Sequence, residues 1–310
     1  MKSKDMEPEE REEKVRFSYS TQDQPLMQRA VIQAIEKMGG QRKLKKLYDN
    51  HLQDRRQGET FFDAAVRLLR IDVLFDAERL GAVPADGPVV FVANHPYGVL
   101  DGIILTWLCM KVRPDTKVLA NSVLCQAPDA QNNLLPVDFA GTREAQAINV
   151  RSRIEAQKFL KSGGAIGIFP AGGVSTSERP LKGPAIDLAW APFTAKMIRM
   201  SKATVVPIYF EGQNSRLFQL ASHMSLTLRL SLVFRETARR MGSKLSVRVG
   251  KPIPFEAIAA IEDRTQLVQL LREKTFALGL SPEGELPVPA KFMHPPRMRS
   301  LRKQEGREED

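Results

Sequence analysis

Three short runs of apolar, mostly β-branched residues constrain this 310-residue chain more than any other feature in it. Val89 to Ala93, Ile166 to Phe169 and Thr204 to Phe210 offer almost no polar side chain to either face. A strand built from any of them must therefore be covered on both sides. Each run stops abruptly in polar or glycine-rich sequence: Asn94-His95-Pro96, then Pro170-Ala171-Gly172-Gly173, then Glu211-Gly212-Gln213-Asn214. Segments with helical spacing of apolar residues, Ile103 to Met110 and Ala145 to Leu160, lie between the runs. This alternation implies an α/β fold, a mixed, mostly parallel sheet flanked by helices, with chemistry at the carboxyl ends of its strands. Further strands are expected at Ile71 to Phe75, Lys117 to Ala120 and Lys244 to Val249. Further helices are expected at Phe61 to Leu69, Leu226 to Met241, Phe255 to Ala260 and Thr265 to Ala277, and the polar stretch from Gln126 to Asn133 reads as a loop.

Composition divides the chain. Residues 1–24 are charged and poor in apolar side chains, as a disordered segment is. Residues 25–58 hold two amphipathic patterns, Leu26 to Met38 and Gln41 to Leu52, separated by Gly39-Gly40 and crowded with Arg42, Lys43, Lys45 and Lys46. They read as a basic helical hairpin able to lie on an anionic membrane or to pack on the core. Residues 59–280 form the main domain, and 281–310 a charged, proline-rich tail.

A net charge of +10 implies attraction to nucleic acid, an acidic carrier protein or an anionic membrane surface. No aromatic-interleaved strand or reading motif supports nucleic acid. No apolar stretch approaches the roughly 18 residues needed to cross a bilayer, so membrane contact is expected to be peripheral. Cys109 and Cys125 sit in apolar runs and Met1 to Arg16 lacks the apolar core of a secretory signal, so the expected compartment is cytoplasmic, at the inner membrane face. Four scattered histidines, His51, His95, His223 and His294, offer no metal-ligand cluster.

His95 and Asp101 are the candidate catalytic pair. The strand from Val89 delivers the imidazole to a turn, and Asp101 stands near the start of the next helix. A neutral imidazole takes a proton from a hydroxyl near neutral pH, and an adjacent carboxylate fixes its tautomer and stabilises the imidazolium. No Gly-x-Ser-x-Gly elbow occurs, so the nucleophile is expected to be a substrate hydroxyl or water. The competing reading is a buried histidine in a turn, with Asp101 only a helix cap. The Gly172 turn presents backbone amides to a carbonyl or phosphate oxygen, or is a tight turn with no ligand; it lacks both the Walker and the dinucleotide fingerprints.

Asn94-His95 with Asp101-Gly102, Phe169-Pro170 followed by Gly172, and Val205-Val206-Pro207-Ile208-Tyr209 resemble, in order, the motif blocks of the glycerolipid acyltransferases, the lysophosphatidate acyltransferase superfamily. The match spans about residues 60 to 260. Within it, Asn94-His95-Pro96-x-Gly98-x-x-Asp101-Gly102 and Glu211-Gly212-Gln213-Asn214-Ser215 are similar to the haemolysin-like branch, some members of which make ornithine and related aminolipids.

The resemblance implies transfer of an acyl group from acyl carrier protein or coenzyme A to a lysolipid hydroxyl. His95 would be general base and Asp101 its orienting partner, with no bound cofactor, metal or acyl-enzyme required. Oxyanion or acceptor contacts are expected among Asn94, Gly98, Gly172, Gly173, Val174, Arg143 and Arg179. Three departures stand out: five residues rather than four separate His95 from Asp101, Ala171 replaces the motif's Glu, and Phe139 replaces its Arg. Arg143 is then the substitute cation, and loss of the motif Arg favours an acceptor without a phosphate, a lyso-aminolipid, over lysophosphatidate. A hydrolase using His95 to activate water, and a non-catalytic basic lipid-binding protein, are the rival expectations.

Overall fold

The computed structural model describes residues 40–53, 55–122, 124–139, 141–280 and 286–289. The expected helix at Leu26 to Met38, the segment 1–24 and most of the tail lie outside the described residues. The elements in order are α1 (Gln41–Gln53), α2 (Phe61–Leu69), β1 (Asp72–Phe75), α3 (Ala77–Gly81), β2 (Val89–Ala93), α4 (Val99–Met110), β3 (Lys117–Asn121) and β4 (Leu134–Val137). There follow α5 (Arg143–Lys161), β5 (Ala165–Ile168), β6 (Thr176–Arg179), β7 (Lys182–Ile186), α6 (Phe193–Ser201), β8 (Thr204–Phe210), α7 (Arg216–Met224), α8 (Leu226–Arg239), β9 (Lys244–Val249) and α9 (Arg264–Ala277).

Seven strands form one sheet in the order β1-β9-β8-β2-β5-β3-β4. The five from β8 to β4 run parallel, whereas β9 pairs antiparallel with β8 and parallel with β1. The sheet is thus mixed and mostly parallel, as the apolar runs require. β2 lies between β8 and β5 with every residue buried. Successive side chains of a strand point to opposite faces. Val89, Phe91 and Ala93 accordingly pack with α2, α4, α7 and α8, while Val90 and Val92 pack with α5, α6 and α9. Helix α4 is buried along almost its whole length, which explains a sequence with no polar stripe.

Several local expectations are corrected. The first core helix begins at Val99 rather than Ile103, because Gly98, at φ +78°, caps it and Asp101 falls in its first turn. Phe255 to Ala260 gives only a 3₁₀ turn, Phe255–Ala257, before Asp263 caps α9. The stretch from Gln126 to Asn133 is mostly a 3₁₀ turn, Pro128–Asn133, and Leu134–Val137 beyond it is the sheet's edge strand. The β6–β7 hairpin and the helices α3, α6 and α7 have no counterpart in the sequence reading.

Candidate active site

β2 ends at Ala93, and the next two residues take separate tasks. Asn94 is buried. Its Nδ2 donates to the Phe210 carbonyl at 3.0 Å, and its Oδ1 accepts from the Phe210 amide at 2.7 Å. Both ends of the amide thus tie β2 to the end of β8, a bracing role that the sequence reading did not foresee. The His95 ring stacks on Phe169 with centroids 4.0 Å apart, so the ends of β2 and β5 meet at the imidazole.

Asp101 is wholly buried in the first turn of α4. Its Oδ2 accepts from the amides of Tyr97 at 2.6 Å and Gly98 at 2.9 Å and lies 3.0 Å from His95 Nδ1. That last approach is close enough for a hydrogen bond but off the ring N–H direction, and Oδ1 has no partner among the described residues. Burial raises the Asp101 carboxyl above its usual range, opposed by the His95 contact and the two amides. With Nδ1 turned to Asp101, Nε2 is the nitrogen left for a substrate proton. Gly98 owes its place to its φ of +78°, and a Cβ there would also press on the Val174 side chain at 3.2 Å.

The glycine turn after β5 is placed beside this pair. The Ser175 amide donates to the His95 carbonyl at 2.7 Å. The Gly172 amide donates to Phe169 at 2.9 Å, so it is committed to the turn and corrected out of the set of oxyanion donors. The amides of Gly173 and Val174 have no partner among the described residues. Space above Gly172 and Gly173 is open, with no atom within 4 Å of where a Cβ would be.

Two residues that the sequence reading missed hold the site together. Asp187 is wholly buried; its Oδ1 accepts from the His95 amide at 3.2 Å and from Ser175 Oγ at 2.5 Å, and its Oδ2 from Trp190 Nε1 at 3.0 Å. Burial raises this carboxyl too, against the pull of its three donors. Arg229, on α8, is buried; it donates to the Val174 carbonyl and, at 2.6 Å, to Thr176 Oγ1. Desolvation pulls its pKa down to about 10. Each is a lone charge inside an apolar run, Ile186-Asp187-Leu188 and Leu228-Arg229-Leu230, which is the one signal the sequence carried.

Tyr97 completes the turn. Its hydroxyl donates to the Glu211 carbonyl at 2.6 Å and accepts from Arg240 at 2.9 Å. Burial pushes the phenol up to about 12, so it stays a donor. Gly212 has to be glycine, because a Cβ would sit 2.0 Å from that hydroxyl.

Arg143 and Arg179 are not brought to the pair. Arg143 is the exposed first residue of α5, after β4, which stands three strands from β2, roughly 14 Å at the usual strand spacing. Arg179 is exposed at the end of β6. Phe139 is half exposed beyond β4. Close by the site, an apolar cavity of about 80 Å³ opens between α1, α2, α4 and α8, lined by Leu47, His51, Phe61, Val99, Ile103 and Phe234 among others. Among the described residues there is no group of three or more His, Cys, Asp or Glu placed to hold a metal, and no helix long and apolar enough to cross a membrane. Cys109 and Cys125 are free, and burial raises both thiols, Cys125 to about 11.

A family model described as Acyltransferase matches residues 55–283. A lyso-glycine lipid O-acyltransferase of Phocaeicola vulgatus is 26% identical over 229 residues, covering 71% of this chain and 78% of that protein. One of the same name from Bacteroides thetaiotaomicron is 25% identical, covering 71% and 80%. Among solved structures, the 1-acyl-sn-glycerophosphate acyltransferase PlsC of Thermotoga maritima aligns with 81% of this chain and 80% of its own, at 16% identity and a TM-score of 0.45.

Proposed function

The chain belongs to the acyltransferase family, and on that premise we propose that it moves a fatty acyl group from a thioester to the hydroxyl of a lyso-aminolipid. The observation that carries this reading is the His95–Asp101 pair at the carboxyl end of the central strand, 3.0 Å apart with the carboxylate wholly buried. His95 Nε2 takes the proton of the acceptor hydroxyl as its oxygen attacks the thioester carbonyl. Asp101 stabilises the imidazolium that forms. The tetrahedral oxyanion lies against the amides of Gly173 and Val174, whose N–H groups have no other partner among the described residues. Collapse breaks the C–S bond, and the leaving thiolate takes the proton back from the imidazolium.

The acyl donor is acyl carrier protein or acyl-coenzyme A, and the cavity beneath the first turn of α4 takes part of an acyl chain. Support for an acceptor without a phosphate comes from Phe139, which stands where the motif's guanidinium would hold one, from the exposed place of Arg143, and from the relatives' names. The protein acts at the inner membrane surface, held peripherally, its net charge of +10 favouring anionic headgroups.

The test is transfer by purified protein from acyl carrier protein and coenzyme A thioesters to lyso-aminolipid and lysophosphatidate, followed by mass spectrometry. Diacyl lipid formed by wild type and not by His95→Ala, with an unchanged circular-dichroism spectrum, supports the reading. Free fatty acid as the product would make it a hydrolase, and unchanged turnover in His95→Ala would remove His95 from the mechanism.

A further inference from the structure

Helix α7 turns large apolar side chains outward as well as inward. Its inner side buries Phe218 and Ala221 together with the polar Gln219 and Ser222, but Leu217, Leu220 and Met224, spaced by three and four residues, point outward at 46%, 36% and 64% exposure. An ordinary surface helix carries polar residues on that side. Beside it stands the β6–β7 hairpin, pinned by Arg216 Nη1 to the Gly183 carbonyl at 2.7 Å, by the Ser177 amide to Gln219 Oε1 at 2.9 Å, and by a 2.8 Å contact between His223 Nε2 and the Ser177 carbonyl. Arg179 and Lys182 close the hairpin, and the tip between them is Pro180-Leu181, with Leu181 67% exposed. Four exposed large apolar side chains thus belong to one pinned unit of hairpin and helix, which also exposes Arg179, Lys182 and Arg216 and, beside the tip, Glu178.

We propose that this face, the β6–β7 tip with the outer side of α7, docks on an anionic lipid bilayer, the leucines and methionine entering the interface and the three cations meeting headgroups. Apolar side chains interleaved with cations fit a lipid surface, whereas a soluble surface gains nothing from exposing them together. The face also leads to the site. β6 follows Ser175, whose amide holds the His95 carbonyl, and its four residues span roughly 14 Å, so a docked tip sets the imidazole within reach of a lipid's head region. The surface is separate from the basic helix α1, because α8 lies between α1 and α7. The inference rests on the proposed membrane-lipid acceptor, which the bilayer would supply laterally.

The test is co-sedimentation with phosphatidylcholine vesicles, with and without phosphatidylglycerol, for wild type, Leu181→Glu/Met224→Glu and Lys43→Glu/Lys46→Glu. Transfer to a short-chain lysolipid dispersed below its micellar concentration and to one embedded in vesicles is measured alongside. The hairpin-helix variant should lose roughly tenfold or more in vesicle affinity, the worth of burying such side chains. It should lose embedded-acceptor turnover in proportion and keep turnover of the dispersed acceptor. Binding equal to wild type, no binding by wild type itself, or loss only in the lysine variant overturns the proposal. So does a wild-type dimer without vesicles that the glutamates dissociate, which would make the face a contact between copies. Failure of wild type on the dispersed acceptor would instead defeat the lysolipid reading, whatever the vesicles show.

Discussion

Replacing Asp187 tests how the imidazole is held. In Asp187→Asn one oxygen keeps the His95 amide and Ser175 Oγ, but an amide N–H₂ now faces Trp190 Nε1–H where a carboxylate oxygen accepted it at 3.0 Å. Two donors then confront one another in a buried place, at a cost of about 1–3 kcal/mol. Asp187→Ala removes every acceptor. The Ser175 hydroxyl can turn elsewhere, but the His95 amide and the indole cannot, and two stranded donors cost about 2–6 kcal/mol, offset in part because a carboxyl is no longer buried.

Trp190→Phe should recover most of the loss in the Asp187→Asn background, since it removes the facing donor, while alone it leaves Oδ2 unpaired. Urea unfolding of the four proteins gives the coupling directly. The pH dependence follows from the raised carboxyl of Asp187. The folded chain holds that proton to a higher pH than the unfolded chain, so between the unfolded value near 4 and the folded one stability falls as pH rises. Asparagine has no such term, so the gap between wild type and Asp187→Asn narrows across that window. Turnover at saturating substrate should fall with stability, because the anchored group is the His95 backbone. Asp187→Ala within about 0.5 kcal/mol of wild type, or a cycle without coupling, would refute the argument.

Three further perturbations separate parts of the site. Gly212→Ala combines a φ of +99° with a Cβ 2.0 Å from Tyr97 Oη, and should cost about 2–4 kcal/mol by thermal or urea unfolding. His51→Leu should stabilise the fold by about 1 kcal/mol, since His51 Nδ1 is buried against an apolar cavity with no partner among the described residues; a lower melting temperature would show that nitrogen to be paired. Arg229→Lys keeps a cation but cannot span the Val174 carbonyl and Thr176 Oγ1 together, so kcat should fall roughly tenfold with the donor's KM little changed; an unchanged kcat would release Arg229 from positioning the Gly173 turn.

The parts of this site that were legible were those held by short sequence separations. Val89 to Ala93 and Thr204 to Phe210 could be read because a strand covered on both faces has no room for polar residues, and His95 with Asp101 because six positions along one turn bring them together. Asp187 reaches His95 across 92 residues, and no local pattern reports such a meeting. Asn94 sits in the motif and was read as a substrate contact, yet its amide serves Phe210, 116 residues away. The β6–β7 hairpin was hidden because Pro180, Gly183 and Pro184 interrupt the alternation that marks strands. Helix α7 carries the helical spacing at Leu217, Leu220, Ala221 and Met224 but is only nine residues long, and the sequence reading passed over it because most of that stripe faces outward while Gln219 and Ser222 are buried.

The central place of β2 also dictates when the site can exist during synthesis. β2 emerges early, but its register partners are Ala165 on one side and Thr204 on the other. A nascent chain therefore carries an exposed apolar strand and an unanchored histidine until Phe210 has been made to receive Asn94. Such long-range pairing folds slowly and exposes sticky edges meanwhile. A ribosome that stalls short of residue 210 leaves a chain without a site, and chaperone dependence is expected to peak over the stretch of translation between β2 and β8.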